Sequence, residues 1–403
     1  MSTHNTIEKT ANIRRALTRR CAALGIPVSA TFELTPRCNL QCKMCYVRLT
    51  PEQMAPIGRE RTAAEWLQLA AEAKEAGMTF LLITGGEPTL RSDFAEIYEG
   101  LAQMGLSISI NTNGTLLTPA LRDLWHRLPP AQVNITLYGT CREEYEALCG
   151  NPQAFDAVVD GLDWLQSEGI LVHLNATMTP INQPKWREIE NFARDRGLDL
   201  RMTTYCFPPV RREEGADARS HQACHGDSCQ LSSCQSQASS CQTSSVFPEY
   251  TRLSPEDAAR LSLLDMAYRD GTDALRRRLK ELDTPLPTDC SLDAGEPMRC
   301  MAAKSMFWVT WDGRMTPCGM LDQPVVRPFE SDFHQAWEQL RSQSDVIRLC
   351  PDCVQCPDRS TCLNCAAVTY TETGRFDGKP EYMCRLSRAY REILTEMVKQ
   401  LDF

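Results

Sequence analysis

The sequence predicts an α/β chain: a partial (β/α)6 TIM-like barrel, open rather than closed, with a small Cys-rich C-terminal domain. Three observations predict it. Strand-like and helix-like stretches alternate from residue 28 to 206, the pattern of βα units around a parallel sheet. The later strands each carry one polar face. Cysteines crowd the last hundred or so residues.

The elements follow in order. Residues 1–27 read as a helical extension, and "VSATFELT" (28–35) as the first strand. "TAAEWLQLAAEAKEAG" (62–77) reads as a helix that Gly77 ends. "TFLLIT", "LSISINT", "QVNITLY", "ILVHLNAT" and "LDLRMTTY" supply five further strands, with helices near 92–104, 116–126, 153–167 and 184–196. Ser107, Ser109 and Asn111 alternate with Ile108 and Ile110. Asn134, Thr136 and Tyr138 alternate with Val133, Ile135 and Leu137. His173, Asn175 and Thr177 alternate with Val172, Leu174 and Ala176, and Arg201, Thr203 and Tyr205 share a face. Side chains alternate with period two, so these strands present a polar face together. A closed barrel would want Val, Ile and Leu inside. The reading is a wet lumen that holds a polar ligand; ordinary outer-face positions are the alternative.

Residues 207–285 read as a flexible Ser/Gln/Cys-rich insertion and a helical linker. "SHQACHGDSCQLSSCQSQASSCQTSS" has too few large apolar side chains to order itself. Its Cys224, Cys229, Cys234 and Cys241, with His221 and His225, could bind a metal, but their spacing fits no usual zinc knuckle. A helical stretch returns at 254–282, with Ser254 as its N-cap. Residues 286–403 form the second cysteine-rich unit.

The 403 residues carry 42% hydrophobic and 24% charged side chains, as an ordinary globular protein does. A net charge of −9 argues against a nucleic-acid or anionic-membrane partner. No apolar run approaches the roughly 20 residues that would span a bilayer, and the start lacks a signal-peptide core. A cytoplasmic protein is expected. Twenty cysteines in a reducing compartment point to metal or iron–sulfur ligation rather than to disulfides.

"PRCNLQCKMCY" (36–46) sets Cys38, Cys42 and Cys45 directly after the first strand, where βα enzymes place their active sites. A structural zinc or iron–sulfur site closes with four protein ligands. Three cysteines on a cubane leave one iron open for a substrate or cofactor.

This C-x3-C-x2-C loop resembles that of the radical S-adenosylmethionine (SAM) enzymes, and "TGGEPTL" (84–90) resembles their GGE motif. The resemblance implies a SAM-binding [4Fe–4S] cluster on Cys38, Cys42 and Cys45. It implies cofactor contacts from Met44, Tyr46, Gly85, Gly86, Glu87, Asn111, Asn113, Thr136 and Asn175. Met44 stands where the superfamily usually has an aromatic residue. The glycines are expected to let backbone approach the ligand, and Glu87 to accept from its ammonium group. The C-terminal unit resembles the SPASM extension of peptide-modifying relatives. That resemblance implies two auxiliary [4Fe–4S] clusters, one on Cys290, Cys300, Cys318 and Cys365, the other on Cys353, Cys356, Cys362 and Cys384. Cys365 follows Cys362 one residue sooner than the pattern asks, and Cys350 is left over.

The implied activity is reductive cleavage of SAM to a 5′-deoxyadenosyl radical and oxidative modification of a ribosomal precursor peptide, with thioether cross-linking at cysteine as the leading product. The alternatives are a sulfatase-maturing, formylglycine-generating enzyme, and a non-catalytic Fe–S peptide-binding scaffold. Glu33, His173 and Tyr205 are the candidate catalytic bases. The expected partners are a Cys-containing peptide or protein, an electron donor such as flavodoxin or ferredoxin, and a separate leader-binding protein.

Overall fold

The computed structural model describes residues 3–207, 251–282, 295 and 297–401, with backbone alone for residues 3–12. The expected metal role of Cys224, Cys229, Cys234 and Cys241 lies outside the described residues, as does Cys290. Helix α1 (Thr3–Leu24) leads into β1 (Ser29–Glu33). There follow α2 (Pro51–Met54), α3 (Ala63–Glu75), β2 (Phe80–Thr84), α4 (Phe94–Gln103), β3 (Ser107–Thr112), α5 (Pro119–Arg127) and β4 (Gln132–Thr136). Then come α6 (Arg142–Cys149), α7 (Ala154–Ser167), β5 (Val172–Thr177), α8 (Trp186–Asp195) and β6 (Asp199–Thr203). The second part holds α9 (Pro255–Asp270), α10 (Thr272–Leu282), β7 (Met306–Val309), β8 (Met315–Thr316), α11 (Phe333–Asp345), α12 (Ala366–Thr373) and α13 (Glu381–Leu401).

Strands β1 to β6 pair in parallel in chain order, as the alternating pattern predicts. Ile108, Ile110, Val133, Ile135, Leu174 and Ala176 are buried in one core with the covering helices. Their alternating neighbours Ser107, Ser109, Asn111, Asn134, Thr136 and Asn175 stay half-buried on the other side of the sheet, which is the lumen of the partial barrel. Tyr138 departs from this face. It lies beyond the end of β4, buried edge-on to Tyr145 with ring centroids 5.6 Å apart.

The helix boundaries follow local chemistry. Thr62 and Glu65 form a reciprocal capping box at the start of α3, and the Ser254 hydroxyl caps α9. Gly77 follows the α3 C-cap with φ +116°, where a side chain would be strained. The single helical stretch expected over 254–282 is two helices, because Gly271 takes φ +79° between them.

The boundary expected at residue 286 does not coincide with the edge of the barrel. Strand β7 pairs in parallel with β1, in register Ser29↔Met306 to Phe32↔Val309, so the sheet runs β6-β5-β4-β3-β2-β1-β7-β8. Helix α11 then covers this edge. Phe307 packs 5.1 Å from Phe333 and 5.9 Å from Trp337, and the Trp337 indole donates to the Gly25 carbonyl at 2.7 Å. Trp66 of α3 stacks on Phe32 and meets Phe329 edge-on. Residues 306–345 thus share the barrel's core. They went unread because their hydrophobic runs are short and sit among cysteines.

Two predictions follow from this packing. Trp337 is almost fully buried and bonded, so Trp337→Ala should cost about 3–5 kcal/mol of stability, seen as a lower denaturation midpoint. The second concerns Glu190 of α8, which faces Asp265 of α9, with Arg269 and Asp199 as the other charged groups beside it. Burial first, and then Asp265, push the Glu190 carboxyl up to about 7. A raised carboxyl stabilises the fold fully below its unfolded pKa, and the contribution is lost as pH rises through 7. The melting temperature of the native chain should therefore fall relative to that of Glu190→Gln from about pH 5 to about pH 8.

Candidate active site

The site is built where two loops meet at the C-terminal ends of β1 and β2. The Gly86 amide donates to the Thr35 carbonyl at 2.7 Å, and the Glu87 amide donates to the Arg37 carbonyl at 2.8 Å. A Cβ on Gly85 would lie 2.5 Å from the Thr35 carbonyl oxygen, and one on Gly86 would overlap the Arg37 carbonyl. The glycines therefore serve first to seat the cysteine loop on the second strand's turn, a different use from the close ligand approach expected of them. The Arg37 guanidinium holds Glu60 through two bonds of 2.8 Å and braces the same loop.

Glu87 is likewise turned to another task. It is fully buried, and its carboxylate accepts from the Thr89 amide at 3.1 Å, the Thr89 hydroxyl at 2.6 Å, the Thr112 hydroxyl at 2.8 Å and the Asn113 amide at 2.7 Å. It ties the β2 turn to the end of β3. Burial pushes its carboxyl up against these donors.

Cys38, Cys42 and Cys45 are half-buried on one loop. The Leu40 amide points at the Cys38 sulfur at 3.4 Å, and the Arg48 amide points at the Cys45 sulfur at 3.3 Å. The Asn113 side-chain amide lies 3.6 Å from the Cys38 sulfur and donates to Asn39 at 2.8 Å. N–H donors aimed at sulfur suit thiolates that ligate a cluster. Burial pushes the Cys38 thiol up to about 12, so ligation there must displace a proton.

Asn111, Thr136 and Asn175 line the half-buried lumen face. The Asn111 carbonyl oxygen accepts from Asn134 at 2.8 Å, and Thr136 stands opposite Asn175 in the β4–β5 register. Met44 packs on the barrel core beside the loop, and Tyr46 is half-buried on it.

The three expected bases fare differently. Glu33 ends β1, buried, and accepts from the Trp308 indole at 3.1 Å. His173 is the second residue of β5, so it sits at the opposite end of the barrel from the cysteine loop, 2.8 Å from Asp199. Strand polarity, invisible to a face-counting argument, removes it from the site. Tyr205 donates to Glu372 at 2.8 Å, and Arg252 reaches the same oxygen at 2.7 Å. Arg252 also lies over the Tyr382 ring, so this group fastens the end of β6 to the C-terminal helices. Burial pushes the Tyr205 phenol far up and keeps it protonated.

Two residues near the cluster loop were missed. The Cys149 and Tyr138 side chains lie beside the Cys42 side chain. No sequence spacing links them to the cysteine loop. In the C-terminal unit Cys353, Cys356, Cys362 and Cys384 line one cavity of about 300 Å³, with Arg299, Arg359, Lys379, Arg388, Asp352 and Asp358 in its wall. Cys350 hydrogen-bonds with Cys353, and Cys365 lies near Cys300. Cys318 is half-buried on the loop after β8.

With this geometry in place, comparison with known proteins gives the class. Residues 32–195 match the Radical SAM superfamily, so this part of the chain is a radical SAM domain, an enzyme domain that implies a [4Fe–4S] cluster and SAM. An "AdoMet-dependent heme synthase" of Methanosarcina barkeri is 23% identical over 361 residues, 88% of this chain and 95% of its own length. A "Probable GTP 3′,8-cyclase" of Saccharolobus solfataricus is 31% identical over 171 residues, 41% of this chain and 53% of its own. Among solved structures, Streptococcus suis SuiB bound to S-adenosylmethionine has a TM-score of 0.61 at 15% identity, over 95% of this chain and 81% of that one. Native anSMEcpe with bound AdoMet has a TM-score of 0.63 at 15% identity, over 93% of this chain and 99% of that one. Among the described residues no helix is long and apolar enough to cross a membrane.

The loop lock makes a direct prediction. Gly86→Ala should push the cysteine loop off the β2 turn and lower the iron and sulfide retained after anaerobic reconstitution, while far-ultraviolet circular dichroism stays unchanged. Equal metal content in the variant would show that the contact is dispensable.

Proposed function

We propose that this radical SAM enzyme modifies a peptide, joining a cysteine sulfur to carbon in a thioether cross-link. Cys38, Cys42 and Cys45 would hold the cluster in this reading, leaving one iron without a protein thiolate for SAM. When bound, cluster and SAM together supply a 5′-deoxyadenosyl radical that takes a hydrogen atom from the substrate. The chain's own residues hold and shield that site. Asn113 and the loop amides support the sulfurs. Asn111, Thr136 and Asn175 offer hydrogen bonds from the lumen, and Met44 and Tyr46 flank the loop.

The observation that carries the peptide reading is the second cysteine cavity. Joining C–H to S–H removes two electrons and two protons in all. One hydrogen atom leaves with the radical, the thiol proton goes to solvent, and one electron needs an acceptor. The cavity of Cys353, Cys356, Cys362 and Cys384 would hold an auxiliary [4Fe–4S] cluster in that role, with four cations against two carboxylates in its wall to offset thiolate charge. Cys300, Cys318 and Cys365, with Cys290, are the ligands assigned to the other auxiliary cluster. SuiB has been solved bound to its precursor peptide SuiA, and anSMEcpe with the Kp18Cys peptide; both add fold-level analogy only. A second reading, action on a heme precursor, is favoured by the full-length likeness to heme synthases.

The test is anaerobic reconstitution with SAM and a strong reductant, using cysteine-bearing precursor peptides encoded beside the gene. A peptide lighter by two hydrogens, with one thiol no longer open to alkylation, is the expected product. SAM turnover with every peptide unchanged would sink the peptide reading. Appearance of heme absorption with an iron tetrapyrrole in its place would establish the second.

A further inference from the structure

Cys149 lies outside every assigned ligand set, yet the fold brings it to the cluster loop. It ends α6, which Gly150 closes in the left-handed conformation at φ +70°. The last carbonyls of that helix clasp the loop. The Gln41 amide donates to the Cys149 carbonyl, and the Lys43 amide donates to the Leu148 carbonyl, both at 3.0 Å. These bonds bracket Cys42 and hold its backbone against the end of α6. The Cys42 and Cys149 side chains are neighbours across this junction. Cys149 is 1% exposed, in the same core as Tyr138 and Tyr145, so bulky thiol reagents and other chains cannot reach it. Cys42 is only half-buried.

We propose that Cys149 is the resolving thiol of Cys42: when the loop holds no cluster, the two form a reversible disulfide that shelters Cys42 from irreversible oxidation. The asymmetry of exposure sets the order. A small disulfide such as oxidised glutathione meets Cys42 first, and its sulfur forms a mixed disulfide while one glutathione thiol leaves. The Cys149 sulfur then attacks the Cys42 sulfur, the S–S bond closes, and the second glutathione thiol departs. Together the two protein thiols give up two electrons and two protons, and one oxidised glutathione becomes two reduced molecules. A thiol reductant reverses the exchange before cluster insertion. Against peroxide, the sulfenic acid formed on Cys42 condenses with Cys149 and releases water, so it does not advance to sulfinic or sulfonic acid.

The experiment uses the full chain, stripped of cluster by a chelator and treated with oxidised glutathione. Free thiols are then alkylated and the protein cut with trypsin. Cleavage at Arg37, Lys43, Arg142 and Lys185 places Cys42 in fragment 38–43, Cys45 in fragment 44–48 and Cys149 in fragment 143–185. Fragment 38–43 should be found joined to 143–185. The joined species should persist in Cys38→Ser and vanish in Cys149→Ser, a substitution that barely changes side-chain volume. Under peroxide, sulfinic and sulfonic forms of Cys42 should rise about tenfold in Cys149→Ser over the native chain. Recovery of Cys149 alkylated while Cys42 is oxidised, or of fragment 38–43 joined mainly to 44–48, would overturn the assignment. So would equal over-oxidation of Cys42 in the two proteins.

Discussion

Everything at the active end of this barrel hangs from two backbone hydrogen bonds between neighbouring loops, Gly86 to Thr35 and Glu87 to Arg37. They are short, they lie side by side, and the turn that makes them has no room for a side chain on either glycine. A loop of this length with little apolar surface has no core of its own. Its shape must come from a rigid neighbour, and the β2 turn is that neighbour. The same turn sends the buried carboxylate of Glu87 onward to Thr112 and Asn113, so the ends of three strands are tied to one another. Asn113, fixed in this way, directs its amide at Cys38. Position is thus passed from strand to turn to ligand.

The far side of the loop is held by a different device. The last carbonyls of α6 have no partners within their own helix, and two of them accept from the amides around Cys42. A helix end that would otherwise need water is satisfied by the loop, and the loop gains a second wall. The cysteine loop is therefore clamped between a glycine turn and a helix terminus, with its three cysteines half-buried.

The C-terminal unit is less separate than its composition suggests. Strand β7 continues the barrel sheet beyond β1, and Trp308 at that edge meets Glu33 of the barrel. At the opposite edge, Tyr205, Arg252 and Glu372 fasten β6 to the C-terminal helices. The cysteine-lined cavity is consequently joined to the barrel at both ends of its sheet. That arrangement suits a unit that must keep a fixed relation to the lumen.

The βα order, the polar lumen face and the cysteine loop were all legible from residues 28–205, because period-two alternation and short-range thiol spacing are local properties. Caps at Thr62 and Ser254 were local as well. What the chain order could not reveal is which strand end a polar residue occupies, and this is why His173 falls at the wrong end. Nor could it reveal that Gly85, Gly86 and Glu87 spend their chemistry on other loops, that β7 joins β1 across more than 270 residues, or that Cys149 meets Cys42. Such contacts cost chain entropy that only the complete core offsets, so no nearby residue pattern encodes them. The sequence by itself determined the elements and the thiols; the packed fold decided which of them meet.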